Sequence, residues 1–321
     1  MPIPRDVTER LVVAPEVASA LADGRPVVAL ESTLISHGLP YPQNLDVATA
    51  SETAVRETDG AVPATVAIRD GSLLVGLDEG ALEALVTAPA GSVRKAARPS
   101  LAVALAEGGW AATTVSATMI AAHAAGIRVF ATGGIGGVHR GALVVGGADA
   151  TASFDISSDL EELGRTPMAV VCAGPKAILD VPATLEYLET RGVPVISVGQ
   201  AELPGFYARS SGIEAPHVVA DVAGAAAIVG VHLGLGLGSG VLVCVPVPRD
   251  SALPEDVARD AVERAIADAA TAGVHGPALT PWLLARIGEL TDGASVRANT
   301  ALIVNDARVA GELAGRLVEG R

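Results

Sequence analysis

Short β-branched runs alternate with alanine-rich helical stretches, and this alternation limits the fold more than any other feature of the chain. Pro26 to Leu30 reads as a strand, Leu45 to Thr58 as a helix and Ala64 to Ile68 as a strand. Thr118 to Ala125 then reads as a helix before a strand at Ile127 to Ala131. Such alternation predicts an α/β fold with a mostly parallel central sheet. No fixed-period repeat and no linker-like run interrupts the pattern, so a single domain over residues 1–321 is expected, with residues 1–11 as a flexible N-terminus. From Pro254 onward the chain reads as helical, with helices at Glu255 to Ala270 and Pro281 to Leu290.

Val222 to Pro248 contains no charged side chain and is long enough to span a bilayer. Gly234, Gly236, Gly238 and Gly240 break it, however, and Val241 to Val245 resembles a buried strand stopped by Pro246 and Pro248. The segment therefore reads as helix, glycine loop and strand, with no membrane span. Cys172 and Cys244 each sit in an apolar strand-like run without metal-ligand spacing, which predicts reduced core thiols. Met1 to Arg10 is charged where a signal peptide needs an apolar stretch, so a cytoplasmic location is expected. A net charge of -14 argues against nucleic acid as a partner. A small phosphorylated ligand is still compatible, because a few local donors can hold one phosphate.

In parallel sheets, ligands gather at the carboxyl ends of the strands. Glu31, Ser32 and Thr33 follow one strand, Thr132 follows another, and Lys176 follows Val170 to Ala173 across Gly174-Pro175, so three strand ends are expected to share one crevice. Of 22 basic residues only Lys95 and Lys176 are lysines. A chain that uses arginine almost everywhere keeps lysine where an amine is needed, because guanidinium stays protonated and cannot form a Schiff base.

Thr132 to Gly141 is a glycine-rich loop with His139 and Arg140 at its basic end. It suits an anion or a tight turn. The dinucleotide pattern G-x-G-x-x-G fails there, since His139 holds the last position counted from Gly134. Asp155 and Asp159 stand four residues apart, and share a face if the segment is helical. They suit either a hard divalent cation or a helix cap. Neither a G-x-S-x-G elbow nor an H-E-x-x-H pair is present, which removes support for serine hydrolase and zincin chemistry.

Val27 to Thr33, His37 to Pro40 with Pro42 to Asn44, Ala61 to Thr65, Ala111 to Met119, the glycine loop, Phe154 to Leu160, Cys172 to Lys176 and Thr280-Pro281 together resemble the pseudouridine-5′-phosphate glycosidases, relatives of the indigoidine synthase A proteins. The likeness runs in order from about Val12 to the C-terminus. It implies one large α/β/α sandwich and a homotrimer. It also implies that Lys176 forms the covalent adduct with ribose C1′, that Glu31 donates the proton, and that Asp155 binds a divalent metal, usually Mn2+. Lys95, Val115, Ser157, Ser158 and Asp159 match substrate-contacting positions, with Thr132 and His139 expected near the phosphate and Asn299 near the base. Three departures stand out: an apolar insert between Gly141 and Phe154, Ala96 to Ser100 where the family typically has an Arg-Asp-Leu-Pro string, and Val245 in place of an asparagine.

A carbon–carbon glycosidic bond has no heteroatom leaving group for an acid to protonate, so the two-carboxylate route of ordinary glycosidases does not suit it. Attack by a neutral Lys176 amine at C1′, with opening of the ribose ring, gives an iminium that acts as electron sink while the bond to uracil C5 breaks. Glu31 shuttles the proton. The same chemistry run in reverse on a different ring would make a C-glycosynthase that joins ribose 5-phosphate to an aromatic natural product. A sugar-phosphate-binding protein without catalysis is the alternative from another class.

Overall fold

The structure is a computed structural model that describes residues 6–320 except 59, 90, 144–152, 275, 277 and 278. Among the described residues the strands are, in chain order, β1 (Leu11–Val13), β2 (Val27–Leu30), β3 (Val62–Arg69), β4 (Ser72–Val75), β5 (Arg94–Ala96), β6 (Trp110–Thr113), β7 (Val129–Ala131), β8 (Val138–His139), β9 (Ala169–Cys172), β10 (Leu179–Asp180), β11 (Val195–Val198), β12 (His217–Val219) and β13 (Val241–Cys244). Eleven of them form one sheet, whose main path is β1-β4-β3-β2-β7-β9-β13-β11-β12. From β12 to β2 every pairing is parallel.

The eight-residue β3 joins two halves of this sheet. Val62 to Thr65 pair in parallel with β2, whereas Val66 to Arg69 pair antiparallel with β4 and Ala67 to Arg69 antiparallel with β6. A two-residue Asp70-Gly71 turn, both residues at positive φ, closes the β3–β4 hairpin. Asp-Gly suits such a turn because both positions must leave the right-handed region. β5 pairs only with β6, so Lys95 enters from the antiparallel half.

The central strands β2, β7, β9 and β13 are buried along their whole length, as a sheet covered on both faces requires. Alternate residues serve opposite layers. Val28, Val129, Val171 and Val243 pack with Val55, Val229 and Leu313 from the helices Gln43–Arg56, Val222–Gly234 and Ala294–Glu319. Val27, Phe130, Val170 and Leu242 pack with Val17, Met119, Leu163 and Leu188 from helices on the other face. This is the expected α/β/α sandwich. The strand at Val241 and the helix at Val222 also match the sequence reading, and among the described residues no helix is long and apolar enough to cross a membrane.

Order begins earlier than the flexible 1–11 segment foresaw. Val7–Arg10 form a 3-10 helix capped by the Asp6 side chain, and β1 pairs with β4. The edge of β4 offers backbone groups that Leu11–Val13 satisfies, which fixes this stretch despite its charge. The helix Ala294–Glu319 was not delimited by sequence reading, because Gly311 interrupts its pattern. That glycine is steric: a Cβ there would lie 2.0 Å from Thr58 Oγ1 on the neighbouring connection.

The same helix buries Asp306 completely, and both its carboxyl oxygens lack a hydrogen-bond partner among the described residues. Burial first, and then the Cys172 thiol, push this carboxyl well above the usual range. Its folded form therefore holds a proton that the unfolded chain releases above about pH 4. Stability contributed by that proton is complete at low pH and is lost as pH rises toward the folded value, at about 1.4 kcal/mol for each pH unit crossed. The urea-unfolding free energy should accordingly fall as pH rises above the unfolded carboxylate value, and Asp306→Asn should flatten this decline. An unchanged slope in the variant would show that Asp306 is ionised in the fold.

Candidate active site

A cavity of about 700 Å³ opens over the carboxyl ends of β2 and β7 and over Thr65, where the parallel half of β3 ends, and Lys176 reaches it from the turn after β9. Glu31, Thr132 and Lys176 all line it, so the three strand ends do share one crevice, and Lys95 and Asn299 line it as well. Glu31 directly follows β2. The next two residues fasten that strand end: the Ser32 hydroxyl accepts from Thr113 N at 2.9 Å, and the Thr33 hydroxyl donates to the Thr113 carbonyl at 2.8 Å. Thr132, one residue past β7, donates its hydroxyl to the Glu31 carboxylate.

Burial pushes the Glu31 carboxyl up, and the Lys176 charge and the Thr132 hydrogen bond only partly offset this. A raised carboxyl keeps its proton to higher pH than an exposed glutamate does, which favours a proton donor. Lys95 is shifted the other way, first by burial and then by the Lys176 charge, against the pull of Glu31 and Asp159. Lys95, Lys176 and Glu31, which all line the cavity, thus act on one another, and Asp159 acts on Glu31 and Lys95 from behind it. His37, which also lines the cavity, is lowered by burial and by the Lys95 charge.

The turn that carries Lys176 is zipped to the glycine loop. Ile135 N donates to the Gly174 carbonyl and Lys176 N to the Ile135 carbonyl, both at 3.2 Å. Arg140 braces the far side, donating to the carbonyls of Ala177 and Leu179 at 3.2 and 3.3 Å. The glycines of the loop are there for contact. A Cβ at Gly133, Gly134, Gly136 or Gly137 would meet Ile303, Phe206, Ser157 or Thr184 at 2.3 to 2.7 Å. The loop is therefore a tightly packed strut, and its basic end is engaged in bracing the lysine turn.

Val115, His139, Ser157, Ser158, Asp159 and Asp155 do not line this cavity and are grouped behind it. Asp159 Oδ1 accepts from Ser116 N at 3.1 Å and Oδ2 from Gly136 N at 3.0 Å, which ties the helix Val115–Ala124 to the glycine loop. Ser157 caps the helix Ser158–Leu163 by accepting from Asp159 N, and Ser158 shares a 3.1 Å hydroxyl contact with Ser116. Because the helix starts only at Ser158, Asp155 and Asp159 do not lie on one helical face; the paired-carboxylate reading is corrected on that point. Asp155 is exposed, with its carboxylate 3.9 Å from His139 Nδ1. Among the described residues no three His, Cys, Asp or Glu side chains cluster as a metal cage. An exposed carboxylate with one weak partner suits a hydrated hard cation held through a single protein ligand. The insert beside it lies largely within 144–152, outside the described residues.

Sequence reading missed the opposite wall of the cavity. Phe206 and Tyr207 reach it from the connection after β12's neighbour β11, and Leu284, Ser295 and Ile303 reach it from the last two helices. The available signal was scarcity: a chain with three Phe and three Tyr places two of the six side by side.

The indigoidine synthase A like protein family matches residues 16–316. A pseudouridine-5′-phosphate glycosidase from Paracoccus denitrificans is 53% identical over 307 residues, covering 96% of this chain and 98% of that protein. One from Caldanaerobacter subterraneus is 52% identical, over 94% of this chain and 95% of its own. The prealnumycin C-glycosynthase AlnA, solved in complex with ribulose 5-phosphate, has a TM-score of 0.85 at 38% identity, with 97% of each chain covered. An indigoidine synthase A-like protein from Thermotoga maritima has a TM-score of 0.83 at 30% identity, with 99% of each covered. With likeness of this extent in both sequence and structure, the chain belongs to the indigoidine synthase A like protein family.

Proposed function

We propose that this chain is a pseudouridine-5′-phosphate glycosidase that reversibly cleaves the bond between uracil C5 and ribose C1′ through a Schiff base on Lys176. The observation that carries the reading is the shared cavity: Glu31, whose carboxyl burial raises, and Lys176 both line it, and the Lys176 charge acts on that carboxyl. The near-full-length identity to proteins of that name supports the same substrate.

In the cleavage direction the Lys176 nitrogen forms a bond to C1′ and the ring C1′–O4′ bond breaks. Glu31 gives its proton to O4′. The adduct is an open-chain secondary amine, and its nitrogen returns a proton to Glu31. Glu31 then places that proton on uracil C5 as the carbon–carbon bond breaks and the nitrogen lone pair closes the C1′=N iminium, from which water releases ribose 5-phosphate and frees Lys176. Lys95 supplies a fixed charge to substrate oxygens, and Asn299 contacts the base. Val115, Ser157, Ser158 and Asp159 would shape the sugar-phosphate end with Thr132 and His139. Asp155 would hold Mn2+ through one carboxylate and water, and the ion would supply charge neutralisation there. A cytoplasmic homotrimer belongs to the same reading.

The likeness to AlnA favours a second reading, ribose 5-phosphate joined to a larger aromatic ring. Release of uracil from pseudouridine 5′-phosphate, followed by absorbance, separates the two when set beside ribose 5-phosphate with a panel of carbon-nucleophile aromatics. Uracil release without aromatic coupling is expected, and the reverse result would transfer the chain to the synthase class. For the metal, chelator should lower activity at least about 10-fold with recovery on added Mn2+, in line with the usual cost of disturbing a metal site. Asp155→Ala should lose both activity and the Mn2+ response while its circular dichroism stays unchanged. Full activity of the parent enzyme in chelator would remove the metal from the mechanism.

A further inference from the structure

Phe206 adopts φ +65°, a left-handed conformation that is an outlier for a bulky aromatic residue. Strain of this kind persists where the surroundings over-determine it, and such residues gather at functional sites. Here the surroundings are explicit. Leu203 N donates to the Ile213 carbonyl at 2.8 Å and Gly205 N to the Ala208 carbonyl at 3.1 Å. Leu253 N holds the Tyr207 carbonyl at 2.9 Å, and Arg209 holds the Val247 carbonyl at 2.9 Å. Gly205 admits no side chain, since a Cβ would meet the Ser210 carbonyl oxygen at 2.3 Å. The connection is thus closed on itself and delivers one ring to a fixed place.

That ring is 3% exposed and meets Tyr207 edge to face, with centroids 4.8 Å apart. It also belongs to the apolar cluster that includes Ala173, Ile178 and Leu179, and it lies against Gly134 of the glycine loop, which is bonded to the Lys176 turn. A Cβ on Gly134 would lie 2.6 Å from Phe206 Cε2 and 2.9 Å from the Gly174 carbonyl oxygen. The ring therefore sits on the junction where the glycine loop and the Gly174-Pro175-Lys176 turn are hydrogen-bonded together. Filling space alone would not require an aromatic ring held in a disfavoured backbone geometry. We propose that Phe206 is a positioning residue: it clamps Gly134 against Gly174 and so fixes the direction in which Lys176 enters the cavity.

The proposal rests on Lys176 being the reacting amine, and its effect should fall on chemistry more than on binding. Misplacing a reacting group by about 1 Å can cost about 100-fold in rate. Phe206→Leu should thus lower kcat for pseudouridine 5′-phosphate by about 10-fold to 100-fold. KM should rise less than kcat falls, since the ring lines the cavity but acts mainly by fixing the Lys176 turn. Phe206→Tyr keeps the ring and should recover most of the rate. Borohydride trapping with ribose 5-phosphate, read by peptide mass, should show the same order of Lys176 adduct formation. Wild-type kcat in folded Phe206→Leu would overturn the proposal, as would equal loss in the Leu and Tyr variants at equal thermal stability. If the parent enzyme forms no adduct on Lys176, the Schiff-base reading fails instead, and the kcat comparison still decides whether Phe206 positions the site.

Discussion

Replacing Lys176 by arginine should eliminate turnover of pseudouridine 5′-phosphate while the protein stays folded. The substitution keeps a positive charge, and the backbone bond from residue 176 to the Ile135 carbonyl is unaffected by the side chain. What is lost is an amine able to give up its proton and form a carbon–nitrogen double bond. Loss of a covalent nucleophile can lower kcat by on the order of 10⁶. Trapping with borohydride should give no adduct. Lys95→Arg is the informative companion, since a fixed charge can be supplied by either residue; it should raise KM more than it lowers kcat. Normal turnover by Lys176→Arg would end the Schiff-base proposal, whatever Lys95→Arg does.

Glu31→Gln should separate proton transfer from covalent attack. The two side chains are nearly the same shape, and the amide oxygen can still accept from Thr132. General acid–base catalysis contributes about 10² to 10⁴ in rate, and a loss of that size is expected. With ribose 5-phosphate alone, Lys176 should still be trapped, more slowly, because the amine is intact. The pH dependence should change too. Burial raises the Glu31 carboxyl, so its protonated form persists to higher pH than an exposed glutamate allows, and the rate should decline as pH rises through that value. In Glu31→Gln the residual rate should lose this alkaline decline. Wild-type turnover in the variant would direct attention to Asp159, the carboxylate behind the cavity that acts on Glu31 and Lys95.

What the sequence made legible was chemistry tied to local order. The two lysines stood out by scarcity, and both line the cavity; Glu31 and Thr132 stood out because each directly follows an apolar run that is a strand. Reading failed where partners are distant. The four loop glycines suited an anion or a tight turn, but their necessity comes from Ile303, Phe206, Ser157 and Thr184, far away in the chain. Asp159 was paired with Asp155 by spacing, while its real partners are backbone donors of residues 116 and 136. The double role of β3 was hidden because a buried strand has the same apolar composition in parallel and antiparallel company.

The split pairing of β3 also sets an order of assembly. The β3–β4 hairpin closes over two residues, and hairpins form in about 1 to 10 μs once their sequence is available. β5 and β6, which carry Lys95 to this half, pair close behind it in the chain. The parallel pairing of β9 with β13 needs a crossover through the intervening helices, and loop closure of that kind is slower. Ile303 and Asn299 come later still, on the helix Ala294–Glu319 that covers β2, β7 and β9. During synthesis, then, both lysines and Glu31 leave the ribosome well before the helix that completes the cavity wall. A nascent chain would carry Glu31, Lys95 and Lys176 before the wall that faces them, so under the proposed mechanism chemistry at Lys176 would begin only when that last helix docks.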